Sequence, residues 1–348
     1  MWFFSKMCTS KARLDGKTVV ITGSSGGLGK ETARDLYARD NLIDKKYKHK
    51  YKRCLHLGAR VLLACRDMEK TREAVDDIKN NPPSWMTKDE YKNNVGELVI
   101  YLVDLRSLKS VRDCAKNLLK NETAIHILIN NAGVLAYPYE KTEDGNQTTL
   151  QVNHLGHFLL TLLLLPKMKL SSPNCRIVNV SSLAYIFADI DFDDINLERT
   201  YSPLMSYAQS KLANILFTKA LARRLKEADI HGINVYSVHP GIIPTEISRY
   251  GSSTVFPGAT FCFWLFSLLF CKNVVQGAQT IIYCSVDEET ANDTGLYYSN
   301  CSVAATYRKA NDPEYPENLW NVSCRLLHLE PEENFTTFLE TVSHQIRV

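Results

Sequence analysis

The chain has 348 residues, of which 45% are hydrophobic, 23% charged and 10% aromatic, a make-up that excludes wholesale disorder and suits a globular protein. Its net charge is +3, and the block from Asn41 to His56 alone carries a local +5 (Lys45, Lys46, Lys48, Lys50, Lys52 and Arg53 against Asp44), which leaves −2 for everything else. Basicity confined to one block argues against nucleic-acid binding, because counterion release needs phosphate contacts spread along a surface.

The ten cysteines are scattered, with no CxxC pair and no histidine cluster at zinc-ligand spacing, so no metal and no disulfide framework is expected. Seven Asn-x-Ser/Thr matches read as chance, since the one at Asn179 falls inside an apolar strand pattern. The opening "MWFFSKMCTSKARL" has too few apolar residues before charge for a membrane span or a signal h-region. A reducing compartment on the cytoplasmic side is the expectation, and secretion is not.

In chain order, strands are predicted over residues 17–22, 59–65, 97–104, 125–130, 175–181, 233–239 and 294–299. Most are apolar without a break, as strands buried on both faces must be. Amphipathic helical patterns separate them, as in "KETARDLYARD", "SLKSVRDCAKNLLK", "LQVNHLGHFLLTLLLL" and "SYAQSKLANILFTKALARRLKEA". Strand and helix in alternation predict an α/β fold, a doubly wound (Rossmann-type) parallel sheet flanked by helices. With no linker and no repeat, a single domain over 1–348 is expected, its cofactor half near 15–135 and its catalytic and substrate half near 136–330.

After the first strand comes "TGSSGGLGK", in which Gly23, Gly27 and Gly29 open a helix. Glycines permit positive φ and let the backbone approach a pyrophosphate seated on amides at the helix N-terminus. The residue that reads the adenosine ribose should follow about 20 positions later, at the end of the second strand. Arg66 stands there, 37 positions after Gly29, and removing the 16 residues 41–56 reduces the gap to 21. The basic block is therefore an insertion between the first helix and the second strand. A guanidinium pairs with a 2′-phosphate where a carboxylate would repel it, which points to NADP(H).

Tyr207 and Lys211 in "SYAQSKLAN" lie four apart, on one face of a helix. An ammonium beside a phenol favours the phenolate, which suits proton transfer near neutrality. Ser182 ends an earlier strand in "NVSS", "NNAG" (130–133) ends the one before it, and Asn153 lies in the helix between. All fall where an open α/β sheet places its ligand crevice.

The order "TGSSGGLG", "NNAG", "VNHLGH", "VSS", "YAQSK", "HPG" resembles the short-chain dehydrogenase/reductase family over nearly the whole chain. "ARVLLACRDMEK", "QVNHLGHFLLTLLLL", "YAQSKLANILFTKALARRL" and "GAQTIIY" look like the retinol dehydrogenase branch. The resemblance implies Tyr207 as the acid that protonates a carbonyl oxygen and Ser182, more than Ser181, as its hydrogen-bonding partner. It implies Lys211 on the nicotinamide ribose, depressing the Tyr207 pKa, and Asn153 holding a water linked to Lys211. It also implies Gly23, Ser25, Gly27, Leu28 and Gly29 around the phosphates, and Asp104 and Leu105 at the adenine. Asn131, Ala132 and Gly133 would form the floor, with Pro240, Gly241 and Thr245 near the carboxamide.

The sequence departs from that branch at the 41–56 insertion and at His126, read as a strand-edge histidine. His154 and His157 lack a third ligand and read as structural. Residues 250–271 carry no charge, yet the apolar part 261–271 is only eleven long where a span needs about 20. That segment reads as a substrate lid, open to three contacts: a lipophilic substrate, a second subunit in a homo-oligomer, or a bilayer interface. The basic block reads first as a solvated surface insertion; alternatively, together with that segment, it would supply two signals for peripheral contact with an intracellular membrane such as the endoplasmic reticulum. The expected activity is NADP(H)-dependent interconversion of a lipophilic aldehyde or ketone and its alcohol, most closely retinal and retinol. Its rivals are a steroid or broad-specificity carbonyl reductase and an inactive cofactor-binding scaffold.

Overall fold

The computed structural model describes residues 5–39, 58–93, 95–243, 251–254, 272–330 and 334–344. The basic insertion 41–56, Thr245 and all of the 250–271 segment except residues 251–254 lie outside them. The described elements run β1 (Thr18–Thr22), α1 (Gly27–Ala38), β2 (Arg60–Cys65), α2 (Met68–Asn80), α3 (Lys88–Asn93), β3 (Glu97–Leu102), α4 (Leu108–Asn121) and β4 (Ile127–Asn130). There follow α5 (Gly156–Ser171), β5 (Cys175–Val180), α6 (Pro203–Glu227), β6 (Ile233–His239), α7 (Val274–Val286), β7 (Leu296–Ser299), β8 (Ser302–Val303), α8 (Tyr315–Leu326) and α9 (Phe335–His344). Because α1 ends at Ala38 and β2 begins at Arg60, the basic block falls between them in the chain, where the spacing of the glycines and Arg66 puts it.

One sheet holds all eight strands in the order β3-β2-β1-β4-β5-β6-β7-β8. Pairing is parallel from β3 to β7, and only the two-residue β8 runs antiparallel, against β7. Strands β1, β4 and β5 are buried at every position, which is why their apolar runs show no alternation. The edge strand β3 is mostly half-buried or exposed. One apolar core lies between the sheet and α4, α5 and α6; the other lies between the sheet and α1, α2 and α7.

Local chemistry ends the helices where the sequence suggests. Asp67 accepts the Glu69 and Lys70 N–H groups at the start of α2, and Asn273 and Gln276 form a reciprocal capping box on α7. Ser202 caps α6 with Pro203 in its first turn. Among the described residues no helix is long and apolar enough to cross a membrane.

Helices α8 and α9 close over α5 and α6 through an aromatic cluster. The Trp320 ring centroid lies 4.8 Å from Phe158, 5.9 Å from Phe335 and 6.0 Å from Phe338, with the Arg224 guanidinium 4.1 Å from it on the α6 side. Trp320 is 3% exposed. Trp320→Ala is expected to lower unfolding free energy by about 3–5 kcal/mol, the cost of emptying a large aromatic site. Urea denaturation checks it, and a loss below about 1 kcal/mol would mean that this cluster does not anchor the C-terminal helices.

Candidate active site

The crevice opens at the C-terminal ends of β1 and β4, where the strand order changes direction. Gly23 leaves β1 with φ +66°, and a Cβ there would lie 2.8 Å from the Ala132 Cα. A Cβ on Gly29, in the first turn of α1, would lie 2.5 Å from both Asn131 Nδ2 and the Gly23 carbonyl oxygen. Only glycine lets the turn lie this close to the loop after β4. Gly27 has φ +52°, and the N-cap Gly26 offers the first turn no side-chain partner, so main-chain N–H groups there face the crevice. Ser25 and Leu28 are half-buried in the same turn, with Leu28 leaning on Gly277 of α7.

Asn131 and Ala132 are tied to the end of β1. Their N–H groups donate to Thr22 Oγ1 at 3.0 and 3.1 Å, and Asn131 Nδ2 donates to the Thr22 carbonyl at 2.8 Å. Thr22 was not a candidate on sequence grounds. The available signal is a hydroxyl closing an otherwise aliphatic buried strand, where it must find partners.

Arg66 is exposed at the end of β2 and forms no ion pair among the described residues. Asp104 instead pairs with Arg106, whose Nη2 lies 2.8 Å from Oδ2. Burial raises the Asp104 carboxyl, but the hydrogen bonds and charge of Arg106, with Arg66 adding, hold it below its ordinary value. Leu105 faces inward. It is 5% exposed and packs against Gly156, so its side chain belongs to the core.

The four residues expected to act together converge. Ser182 lies close enough to the Tyr207 phenol to lower its proton affinity, and the Lys211 ammonium lies 5.5 Å from the Tyr207 ring centroid. A Cβ on Gly133 would come within 3.3 Å of Asn153 Oδ1 and 3.6 Å of Lys211 Nζ, so Gly133 leaves that space open. Ser181 is buried behind, donating to the Lys211 carbonyl at 2.7 Å, which leaves Ser182 as the serine facing Tyr207.

The geometry bears on two implied roles. Asn153 sits in a π-helical turn, Gln151–Leu155, that leads into α5. Its Nδ2 donates to the Val134 carbonyl at 3.0 Å and to Ser210 Oγ at 2.9 Å, and its Oδ1 accepts the Val134 N–H at 2.8 Å. Both amide hydrogens are used, so the side chain braces the loop and α6. Tyr207 is shifted up, not down: burial raises the phenol and Ser182 offsets part of that. Lys211 Nζ is turned toward the Val180 carbonyl, 2.9 Å away, and burial brings it down to about 8.

On the far wall, His239 Nδ1 accepts the Leu183 and Gly241 N–H groups at 3.3 and 3.4 Å, linking the Ser182 turn to the Pro240–Gly241 turn. Burial brings this ring down to about 4, so it stays neutral and can accept. His126 lies at the opposite end of the sheet, accepting the Thr18 N–H at 3.0 Å, a strand-edge role. His154 is buried beside Ser323 in the core. Among the described residues no group of three His, Cys, Asp or Glu is placed to hold a metal ion.

Around the crevice the surface is apolar. Leu183 and Phe187 follow Ser182, Leu204 and Met205 precede Tyr207, and Ile242 follows Gly241, each between 37% and 67% exposed. An open depression of about 600 Å³ next to Phe187 is lined by Asp189, Arg308, Lys309 and Asp312 and contains none of the four converging residues. Its charged lining and its position beyond the Ser182 turn set it apart from the crevice.

Residues 48–254 match the family model described as short chain dehydrogenase. The match begins inside the basic block, past the glycine turn that the fold nonetheless puts in the same sheet. The chain is 42% identical to retinol dehydrogenase 11 of Homo sapiens, over 93% of its own length and 90% of that protein. It is 40% identical to retinol dehydrogenase 12 of Homo sapiens, over 95% and 92%. Among solved structures, an uncharacterized protein from Mycobacterium paratuberculosis is 29% identical with a TM-score of 0.66, covering 91% of this chain and 95% of that one. L-sorbose reductase from Gluconobacter frateurii, 20% identical with a TM-score of 0.59 over 83% of this chain and 97% of its own, shares the fold.

A buried ammonium with a carbonyl partner destabilises the fold in a pH-dependent way. Lys211 holds its proton less tightly folded (about 8) than at the ordinary value of 10.5. The penalty is therefore full below pH 8 and disappears as pH climbs to 10.5. Lys211→Met is expected to be more stable than the wild-type chain by up to about 3 kcal/mol at pH 7, with the gap closing between pH 8 and 10.5. Urea midpoints across that range test this; an unchanged gap at pH 7 and pH 10 contradicts it.

Proposed function

The chain belongs to the short-chain dehydrogenase family and is an oxidoreductase of that family, and on that premise we propose that it is an NADP(H)-dependent enzyme that reduces a lipophilic aldehyde or ketone to its alcohol. The relatives named retinol dehydrogenase support a retinoid or similar isoprenoid as substrate. The observation that carries the reading is the meeting of Ser182, Tyr207 and Lys211 beside a glycine turn packed directly against the loop after β4.

The residues present fit a nicotinamide dinucleotide. Gly23 and Gly29 let the turn close onto the loop after β4, a Cβ on Gly26 would meet nothing within 4 Å, and main-chain N–H groups at the start of α1 would take the pyrophosphate. Arg66, free of any ion pair among the described residues, would take a 2′-phosphate. Asp104 would lie at the adenine edge, and Lys211 would reach the nicotinamide ribose. The bound dihydronicotinamide supplies a hydride.

Tyr207 would donate its phenolic proton to the carbonyl oxygen as negative charge develops there, and Ser182 would hold the same oxygen by a hydrogen bond. A phenol raised by burial is protonated at neutral pH, the form that reduction needs. Lys211 keeps a positive charge beside the ring to within about a unit of neutrality. Asn153 keeps Gly133 and α6 in register through Val134 and Ser210. The apolar rim of Leu183, Leu204 and Ile242 supports a long hydrophobic substrate over a sugar or hydroxy acid.

We propose one domain acting at the cytoplasmic face of an intracellular membrane, with the basic block and the 250–271 segment as its contacts. Flotation with anionic liposomes, with and without residues 41–56, examines that placement.

Tyr207→Phe should cut turnover by about 10²–10⁴-fold while NADPH still binds. Retained activity would remove Tyr207 from the chemistry. Arg66→Asp should raise the KM for NADPH by about 10- to 100-fold, the loss of a charge-assisted pair, and leave that for NADH nearly unchanged. Equal effects on both cofactors would refute the phosphate-reading role.

A further inference from the structure

We propose that His157 is a positioning residue whose two ring nitrogens tie the turn carrying Asn153 to the strand end that supports the cofactor floor. The inference rests on the dinucleotide-binding reading above and adds to it a residue outside the four that converge on the substrate.

His157 lies in the first turn of α5, 2% exposed. Its Nε2 is 2.8 Å from Thr22 Oγ1, and its Nδ1 is 3.2 Å from the Asn153 carbonyl oxygen. The threonine decides which nitrogen carries the proton. Thr22 Oγ1 already accepts the Asn131 and Ala132 N–H groups, so both of its lone pairs are occupied. Its one proton must point elsewhere, and the candidates are His157 Nε2 at 2.8 Å and the Ile129 carbonyl at 3.4 Å. The shorter contact takes it. Nε2 is then an acceptor, and Nδ1 bears the hydrogen that goes to Asn153.

The ring is held neutral. Burial is the main cause and the charge of Lys211 acts in the same direction, bringing it to about 4. A single directed chain results: the Asn131 and Ala132 N–H groups donate to Thr22, Thr22 to His157, and His157 to the Asn153 carbonyl. Asn153 in turn braces Val134 and Ser210, the residue before Lys211. The floor and the catalytic helix are thus connected through one imidazole. A π turn interrupts the regular helical ladder, and this side chain ties a carbonyl within it.

The two ends of the ring can be replaced separately. A glutamine amide reaches about as far as Nε2, and an asparagine amide about as far as Nδ1. The test uses the full chain and measures the NADPH Kd by fluorescence, kcat and KM for retinal, and histidine ¹⁵N shifts at pH 7. His157 in the wild-type chain should show the neutral tautomer protonated on Nδ1. His157→Phe should raise the NADPH Kd by about fivefold or more and lower kcat by about tenfold, one buried hydrogen bond lost at each end. His157→Gln should restore Kd to within about twofold without restoring kcat, and His157→Asn should do the reverse. If the phenylalanine variant does not fold, the opposite splits of Kd and kcat in His157→Gln and His157→Asn, together with the wild-type ring tautomer, decide the proposal, and equal effects of the two amides would overturn it. Wild-type Kd and kcat in His157→Phe, or a proton found on Nε2, would overturn the proposal. A wild-type chain that binds neither NADPH nor NADH would instead overturn the dinucleotide reading, and the ring tautomer would still decide the hydrogen-bond chain.

Discussion

Parallel pairing of β1 with β4, in the register Val19–Ile127 to Ile21–Ile129, brings two strand ends side by side at the point where the sheet changes direction. Helices that follow strands on opposite sides of such a seam diverge, and the gap between them forms a crevice at the strand C-termini. Here the seam is closed underneath by Thr22, which takes two N–H groups from the loop after β4. Its tightness dictates residue type: with Gly23 against Ala132 and Gly29 against Asn131, a methyl group at either position would force the strand ends apart. The glycines therefore serve the packing of the floor as much as any ligand.

The side of the crevice that carries Tyr207 and Lys211 depends on a different constraint, the rigidity of α6. A 25-residue helix buried along much of its length fixes Tyr207 and Lys211 one turn apart. Ser181 holds the Lys211 main chain and Val180 holds its ammonium, so neither residue can drift. Burial that raises the phenol and lowers the ammonium narrows the gap between their proton affinities. That cost to folding is confined to a few side chains, and the aromatic packing of Trp320 with Phe158, Phe335 and Phe338 supports the opposite face of the same helices.

Much of this was legible in the chain. Unbroken apolar runs located the buried strands, because burial on both faces leaves no polar alternation. The distance from Gly29 to Arg66 placed residues 41–56 between α1 and β2, although the block itself lies outside the described residues. Tyr207 and Lys211 shared a helix face by periodicity alone. What the chain did not show has physical causes too. The Leu105 side chain turns into the core against Gly156, a matter of orientation that sequence order does not carry. The π turn at Gln151–Leu155 has no propensity signal, so the engagement of both Asn153 amide hydrogens was not foreseeable. The upward shift of Tyr207 follows from the depth of burial and the direction in which Lys211 points, both tertiary facts. His157 looked inert because its partners lie on β1, 135 positions away.

The account holds that one crevice brings a reduced dinucleotide and a lipophilic carbonyl together for direct hydride transfer. Incubating the protein with retinal and NADPH carrying deuterium at the transferable C4 position, and weighing the product by mass spectrometry, tests this most directly. Retinol with one deuterium on the carbinol carbon is the predicted result. Retinol formed without deuterium, from NADPH labelled in turn on each face of C4, would contradict it.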